Sequence, residues 1–303
     1  MPKAIWINLF IFISCSLSLS AQGIRNFEIP KTQSHGAVIS HAAYTLEYNE
    51  THEQASWVAY ILTKEKTTRV AERTNKFLSD PMVKTGSAEN EDYSKSGYDR
   101  GHLAPAADMG WSAKTMAESF YFSNMSPQVP GFNRGIWKRT EELVRTWANA
   151  YDSLYIVTGP VLNGNLPAIG ANKVSIPNYY YKVILDYKRP EVKAIGIIMR
   201  NAASSEPIQH FVVSVDSVEH LTGIDFFPLL NDVEESKLEK QTCIPCWQWE
   251  SNSSNSNSVS PKKESGKSEN RAGDTMQCTG TTKSGNRCKR MTKDADHRCY
   301  QHK

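Results

Sequence analysis

The chain has 303 residues, of which 39% are hydrophobic, 22% charged and 10% aromatic, with a formal net charge of +3. This composition holds enough apolar material for a sizeable core and excludes a polytopic membrane protein, a collagen and a wholly disordered chain. The charge is unevenly placed: residues 251–303 carry 11 Lys and Arg against 5 Asp and Glu, so the rest is net acidic and any phosphate chemistry there must rest on a few placed groups.

Met1–Ala21 reads MPKAIWINLFIFISCSLSLSA: one lysine, an apolar run from Ala4 to Ile13, then small residues. That is the layout of a secretory signal peptide cleaved after Ala21, and the run is short for a membrane span of about 20 residues. A retained anchor is one alternative. Lipidation at Cys15 is another, though Phe12 stands where leucine is usual. The expectation is an exported protein, periplasmic or extracellular, in an oxidising compartment, with no stable membrane insertion once the signal is removed.

Residues 22–250 read as one compact domain. Trp57–Thr63 (WVAYILT) is aromatic and β-branched and predicts a strand. Next comes the densest chemical signal, Asp99-Arg100-Gly101-His102, with a carboxylate, a guanidinium and an imidazole in succession and a glycine that permits close backbone approach. Thr115–Phe120 predicts a short helix. In Ser123–Trp147 the Pro130-Gly131 pair marks a turn, and a helix is expected from near Asn133 through Ile136–Tyr151. Asn133, Trp137, Glu141 and Arg145 stand four residues apart, which places them on one face of such a helix. Ser153–Val161, Tyr179–Tyr187, Val192–Met199 and His210–Val218 predict further strands, the last from its alternation of Phe211, Val213 and Val215. Strands outnumber helices without a repeating βαβ pattern, so the class is α+β.

Cys243-Ile-Pro-Cys246 closes the domain, and in an exported protein its first reading is a local disulfide, with metal or redox use as the alternative. Residues 251–275 are dominated by Ser, Asn, Lys and Glu and read as a flexible linker. Residues 276–303 are too few to fold on an apolar core. Cys278, Cys288, Cys299 and His302 are the right number and type for a tetrahedral structural Zn²⁺ site, although oxidation competes with metal after export. The basic tail either tethers nucleic acid to the domain before it or serves as a solubilising or interaction tag.

Three pieces stand in order: Asp99–His102, Ser123-Asn-x-x-Pro-Gln128, and Asn133-x-x-x-Trp137-x-x-x-Glu141. Together they resemble the signature of the DNA/RNA non-specific endonucleases, the endonuclease G-like family of the ββα-metal (His-Me finger) class. The likeness runs from about Ala43 to Leu238 and includes WVAY near Trp57, VTGPV near Thr158 and GIDFF near Phe226. A lone DRGH would be weak; the three pieces together are specific. The linker and the Cys-rich tail lie outside the resemblance.

The resemblance implies a ββα-metal nuclease fold with a central, mostly antiparallel sheet, and a hydrolase cleaving DNA and RNA with Mg²⁺ or Mn²⁺ to leave 5′-phosphate ends. His102 is the implied base, since a neutral imidazole can take a proton from water near pH 7. Its bland alternative is a structural histidine. Asn133 is the implied Mg²⁺ ligand, a single amide being compatible with an ion that keeps several waters; a helix cap is the alternative, and both can hold. Glu141 would hold the ion's water shell. Arg100 and Arg145, and more loosely Arg73, are implied phosphate clamps, each with a surface salt bridge as its alternative. Asn124 would orient the site, and Asp99 would hold the loop rather than bind metal. Competing functions are a phosphodiesterase for small nucleotides, an inert secreted nucleic-acid-binding protein, and a Cys/His DNA-binding regulator, against which the leader weighs. The oligomeric state, monomer or homodimer, stays open.

Overall fold

The computed structural model describes residues 26–32, 36–249, 276–281, 288–292 and 298. The chain divides into two compact units, Met1–Ser251 and Asn252–Lys303. The expected leader and linker, and Cys299 and His302 of the expected zinc quartet, fall outside the described residues.

In chain order the main elements of the first unit are β1 (Ala37–Ser40), β2 (Thr45–Asn49), β3 (Gln54–Thr63), β4 (Asp99–His102), β5 (Met125–Gln128), α1 (Lys138–Tyr151), β6 (Ser153–Pro160), β7 (Tyr179–Asp186), β8 (Lys193–Arg200), β9 (Val212–Val213), α2 (Val215–Thr222) and α3 (Asp232–Lys240). Seven strands form one sheet in the order β9-β8-β7-β6-β3-β2-β1, every pairing antiparallel. The class is α+β, as expected.

Side chains alternate across a strand, so each central strand feeds two cores. In β3, Val58, Tyr60 and Leu62 join the core that holds Ile136, Val144 and Trp147 of the α1 region. Trp57 and Ala59 point the other way, into a core with Val215 and Val218 of α2 and Leu238 of α3. In β7, Tyr180 and Ile184 face α1 while Tyr181, Val183 and Leu185 face α2. Both faces of the sheet are therefore covered, and for that reason these strands read as nearly continuous apolar runs. By the same parity the buried Lys182 of β7 lies on the α1 face.

Two expected elements differ. His210–Val218 is not one strand but a 3-10 turn (Ile208–Phe211), the two-residue β9, and α2. Ser214 ends the extended run: its hydroxyl accepts the Ser217 N–H at 3.2 Å and caps α2, where Val215 and Val218 are buried three residues apart at helical spacing. The helix expected from near Asn133 begins as a wide π turn, Phe132–Trp137, bent at Gly135 (φ −105°, ψ −111°), and becomes α-helical only at Lys138. The short helix expected at Thr115–Phe120 spans Ala113–Glu118, capped by Ser112, whose hydroxyl accepts from the Thr115 N–H.

Behind α1, a disulfide joins Cys243 and Cys246 across a single turn. The segment that follows lies along the helix. Trp247 packs on Trp147 with ring centroids 4.5 Å apart, Trp147 Nε1 donates to Gln248 O at 2.5 Å, and Tyr151 Oη accepts from Gln248 N at 2.9 Å. In the second unit Met276–Gln277 pairs antiparallel with Met291–Thr292, and Cys278 and Cys288 are buried side by side.

Candidate active site

β4 and β5 form a two-stranded hairpin that carries the DRGH segment, with His102 opposite Met125 and Gly101 opposite Ser126. A Cβ on Gly101 would collide with the buried Gln128 side chain, which explains the glycine there. The turn after His102 is held by Asn124, whose side chain accepts from Ala104 N (2.8 Å) and donates to Ala104 O and Ser119 O (both 2.9 Å). All of its amide atoms are engaged and the side chain is fully buried. Asn124 therefore lies beneath the site, outside the cleft, and positions the turn beyond His102.

The hairpin and α1 enclose a cleft of about 370 Å³ lined by His102, Arg73, Arg100, Asn133, Glu141 and Arg145, together with Arg134, Lys138 and residues 105–107. Six of the seven residues expected at the centre are thus brought together, including Arg73, the most loosely placed of them. A second concavity, lined by Phe77, Tyr93 and Tyr98, shares Arg100, Asn133 and Arg134 with the first.

His102 is 9% exposed, with Phe120 edge-on at 4.9 Å and Phe77 at 6.0 Å between ring centroids. Its Nε2 is buried and has no hydrogen-bond partner among the described residues. Burial, and secondarily the Arg73 guanidinium, lower its pKa from 6.5 to about 3. Its apolar surroundings therefore hold the imidazole neutral near pH 7. The unfolded chain takes up the His102 proton near pH 6.5 and the folded chain near pH 3, so acidification through that window favours unfolding. In EDTA, the stability lost between pH 7 and pH 5 is expected to be smaller for His102→Asn than for the parent by roughly 2 kcal/mol. Urea unfolding at the two pH values measures this, and equal losses would mean the imidazole titrates normally.

Asn133 sits in the π turn rather than at a helix cap or on the α1 stripe. Its Nδ2 donates to Asp99 Oδ2 at 2.9 Å, which fixes the amide and leaves Oδ1 as the free acceptor. Asp99 is itself gripped by Arg134 through two bonds, Nε to Oδ2 at 2.8 Å and Nη2 to Oδ1 at 2.6 Å. Asp99 therefore orients Asn133. Trp137, the expected anchor between Asn133 and Glu141, is instead fully buried against Phe132 and Tyr180, because the wide turn rotates it into the core.

Glu141 and Arg145 lie one α-helical turn apart on the cleft side of α1. Arg145 Nη1 donates to Asp108 Oδ1 at 2.7 Å, and Tyr60 Oη donates to Asp108 Oδ2 at 2.9 Å. Arg145 therefore makes a salt bridge, but not the surface one weighed as its alternative: the carboxylate partner is fully buried. Lys182 reaches the same region from beneath, its Nζ donating to Thr158 Oγ1 at 3.1 Å and lying 4.6 Å from the Trp137 ring centroid. Burial raises the Glu141 carboxyl and lowers the Lys182 ammonium, while the attraction between them opposes both shifts. Arg100 packs over Phe77 at 4.5 Å and donates to Asn90 Oδ1 at 2.8 Å; Arg73 packs over Phe120 at 4.9 Å and donates to Asn75 Oδ1 at 2.7 Å. Neither guanidinium contacts a carboxylate in these bonds, and both line the cleft.

Asp108, Lys182 and Arg134 went unrecognised in the sequence. Lys182 had a signal, a lone cation inside the apolar strand YYYKVILDY. The donor set suits an oxygen-preferring ion: one oriented amide oxygen, a carboxylate behind it, and no thiolate.

A family model described as DNA/RNA non-specific endonuclease matches residues 25–233. Among curated proteins, the chain is 36% identical over 212 residues to the mitochondrial nuclease EXOG of Danio rerio, covering 64% of this chain and 62% of that protein. It is 35% identical over 204 residues to the mitochondrial endonuclease G of Bos taurus (62% and 68%) and 35% identical over 209 residues to nuclease C1 of Cunninghamella echinulata (62% and 82%). The chain thus spans under two thirds of the EXOG length and slightly more of the endonuclease G length. A solved structure of an EndoG/EndoGI complex superposes with a TM-score of 0.62 at 34% identity, covering 65% of this chain and 88% of that one.

Proposed function

The chain belongs to the DNA/RNA non-specific endonuclease family, and from that premise we propose that it is a metal-dependent hydrolase that cuts phosphodiester bonds in DNA and RNA without sequence preference. The observation that carries the proposal is the pairing, in one cleft, of the His102 imidazole with an amide oxygen on Asn133 oriented by Asp99.

In this mechanism the neutral His102 imidazole accepts a proton from the attacking water. The imidazole is kept neutral by its apolar surroundings, and the negative charge of an arriving phosphate raises its basicity from the low resting value. Asn133 Oδ1 would hold Mg²⁺ or Mn²⁺, which supplies charge neutralisation at the phosphate and a source of acidity for the leaving oxygen. Glu141, held in the field of Arg145 and Lys182, stands ready to accept hydrogen bonds around Asn133. Arg100 and Arg73 bind phosphate oxygens with the N–H groups left after their bonds to Asn90 and Asn75. Arg145, already bonded to Asp108, contributes its remaining N–H groups and fixed charge. No covalent intermediate is required, and the products carry 5′-phosphate ends. Every inferred contact is to phosphate, which supports tolerance of both sugars and of any base. Export through the Met1–Ala21 leader, to the periplasm or beyond, is part of the proposal and rests on the leader's layout.

Purified residues 22–303, incubated with linear DNA and with RNA, are expected to degrade both with Mg²⁺ present, to stop in EDTA and to resume on adding excess Mg²⁺. Cleavage that persists in EDTA would overturn the metal-dependent reading. Turnover of dinucleotides without cleavage of long strands would favour the small-nucleotide phosphodiesterase.

A further inference from the structure

On the sheet face opposite the cleft, α2 and α3 bring Asp216, Glu219 and Glu239 together, with one carboxylate oxygen from each lying within 4.8 Å of the others. Asp225 and Glu235 add further negative charge around Glu239. Glu239 is 8% exposed, and its Oε1 is buried with no hydrogen-bond partner among the described residues; Glu235 Oε1 is in the same condition. Of this group, Glu219 Oε1 accepts from Phe226 N at 2.8 Å. Buried carboxylates are ordinarily paired with a base, saturated with hydrogen bonds, or bound to a metal. Among the described residues, Glu239 Oε1 has neither base nor hydrogen bond.

We propose that Asp216, Glu219 and Glu239 form a structural binding site for an oxygen-preferring divalent cation of the calcium class, which ties α3 to α2. Carboxylates on a short helix and its neighbour can bind one- or two-toothed, which suits the variable coordination of Ca²⁺ better than the strict octahedron of Mg²⁺, and an all-oxygen set disfavours zinc and copper. The site lies across the sheet from His102 and Asn133, so it serves the fold rather than the chemistry and does not depend on the proposed nuclease reaction. Without a cation, burial and the neighbouring carboxylates push the Glu239 carboxyl up to about 8.

The test is thermal unfolding of the full chain carrying Asn133→Ala, which removes the other candidate metal ligand, in EDTA and in millimolar Ca²⁺ or Mg²⁺. Calcium is expected to raise Tm by about 5 °C, and magnesium by clearly less. Adding Glu239→Gln should remove the calcium response while leaving Tm in EDTA unchanged or higher, because a repelling charge is gone. If that variant does not fold, Asp216→Asn, at a half-exposed position, should weaken the calcium response at least tenfold in midpoint concentration. No calcium response in the Asn133→Ala parent, or an undiminished response in the second variant, overturns the proposal. The first result combined with a higher Tm for Glu239→Gln would assign the cluster to a shared proton.

Discussion

Replacing His102 with alanine is expected to lower Mg²⁺-dependent plasmid cleavage by about 10²–10⁴-fold, the usual contribution of a positioned base. The imidazole lines the cleft beside Asn133 and is fixed edge-on to Phe120. The backbone around it does not depend on the ring: β4 is paired with β5, and the following turn hangs on Asn124. The variant should therefore keep its near-ultraviolet circular dichroism and its affinity for DNA while losing kcat. Removal also takes away a buried ring nitrogen that has no hydrogen-bond partner among the described residues, which offsets part of the cavity left behind. Activity like that of the parent would remove His102 from the mechanism, whereas loss of activity together with loss of fold would leave only a structural role.

Asn133→Ala is expected to cost at least about 10²-fold, and the loss should appear first as a higher Mg²⁺ requirement. The geometry makes a sharper claim through Asn133→Asp. Asparagine can donate to Asp99 and still present an oxygen to the ion. Aspartate can present oxygens but cannot donate, and it places a second carboxylate against Asp99, so an added negative charge near the cation should fail to help. Asp99→Ala should give the intermediate result, about 10–100-fold in metal affinity with kcat at saturating Mg²⁺ largely kept. Activity measured against Mg²⁺ concentration separates the three, and an Asn133→Asp enzyme with parental Mg²⁺ dependence would show that orientation by Asp99 is unimportant.

The local parts of this site were legible because they are contiguous in the chain. DRGH is one strand, and Glu141 and Arg145 are a four-residue step on one helix, so spacing alone places them. The strands expected from Trp57, Ser153, Tyr179 and Val192 onward are all central strands of the sheet. What spacing could not show was packing across the sheet. Lys182 comes under Glu141 only because β7 has a particular register against β6, and Asp108 meets Arg145 across 37 residues of sequence. The bend at Gly135 was hidden for a different reason: one residue in an unusual backbone conformation shifts Asn133 and Trp137 off the ideal helical pattern without altering composition. Ser214 misled in the opposite direction, its capping hydroxyl sitting in a run that alternates like a strand.

The aromatic segment behind α1 bears on where the catalytic unit ends. The family model matches as far as residue 233, yet Trp247 and Gln248 cover the rear of the helix that carries Glu141 and Arg145. A fragment trimmed to the shared portion would leave the Trp147 indole facing water and its N–H without the carbonyl it now donates to. The folded unit therefore reaches past the span of the family model, and the segment Trp247–Gln248 is part of what keeps the rear of the cleft helix dry.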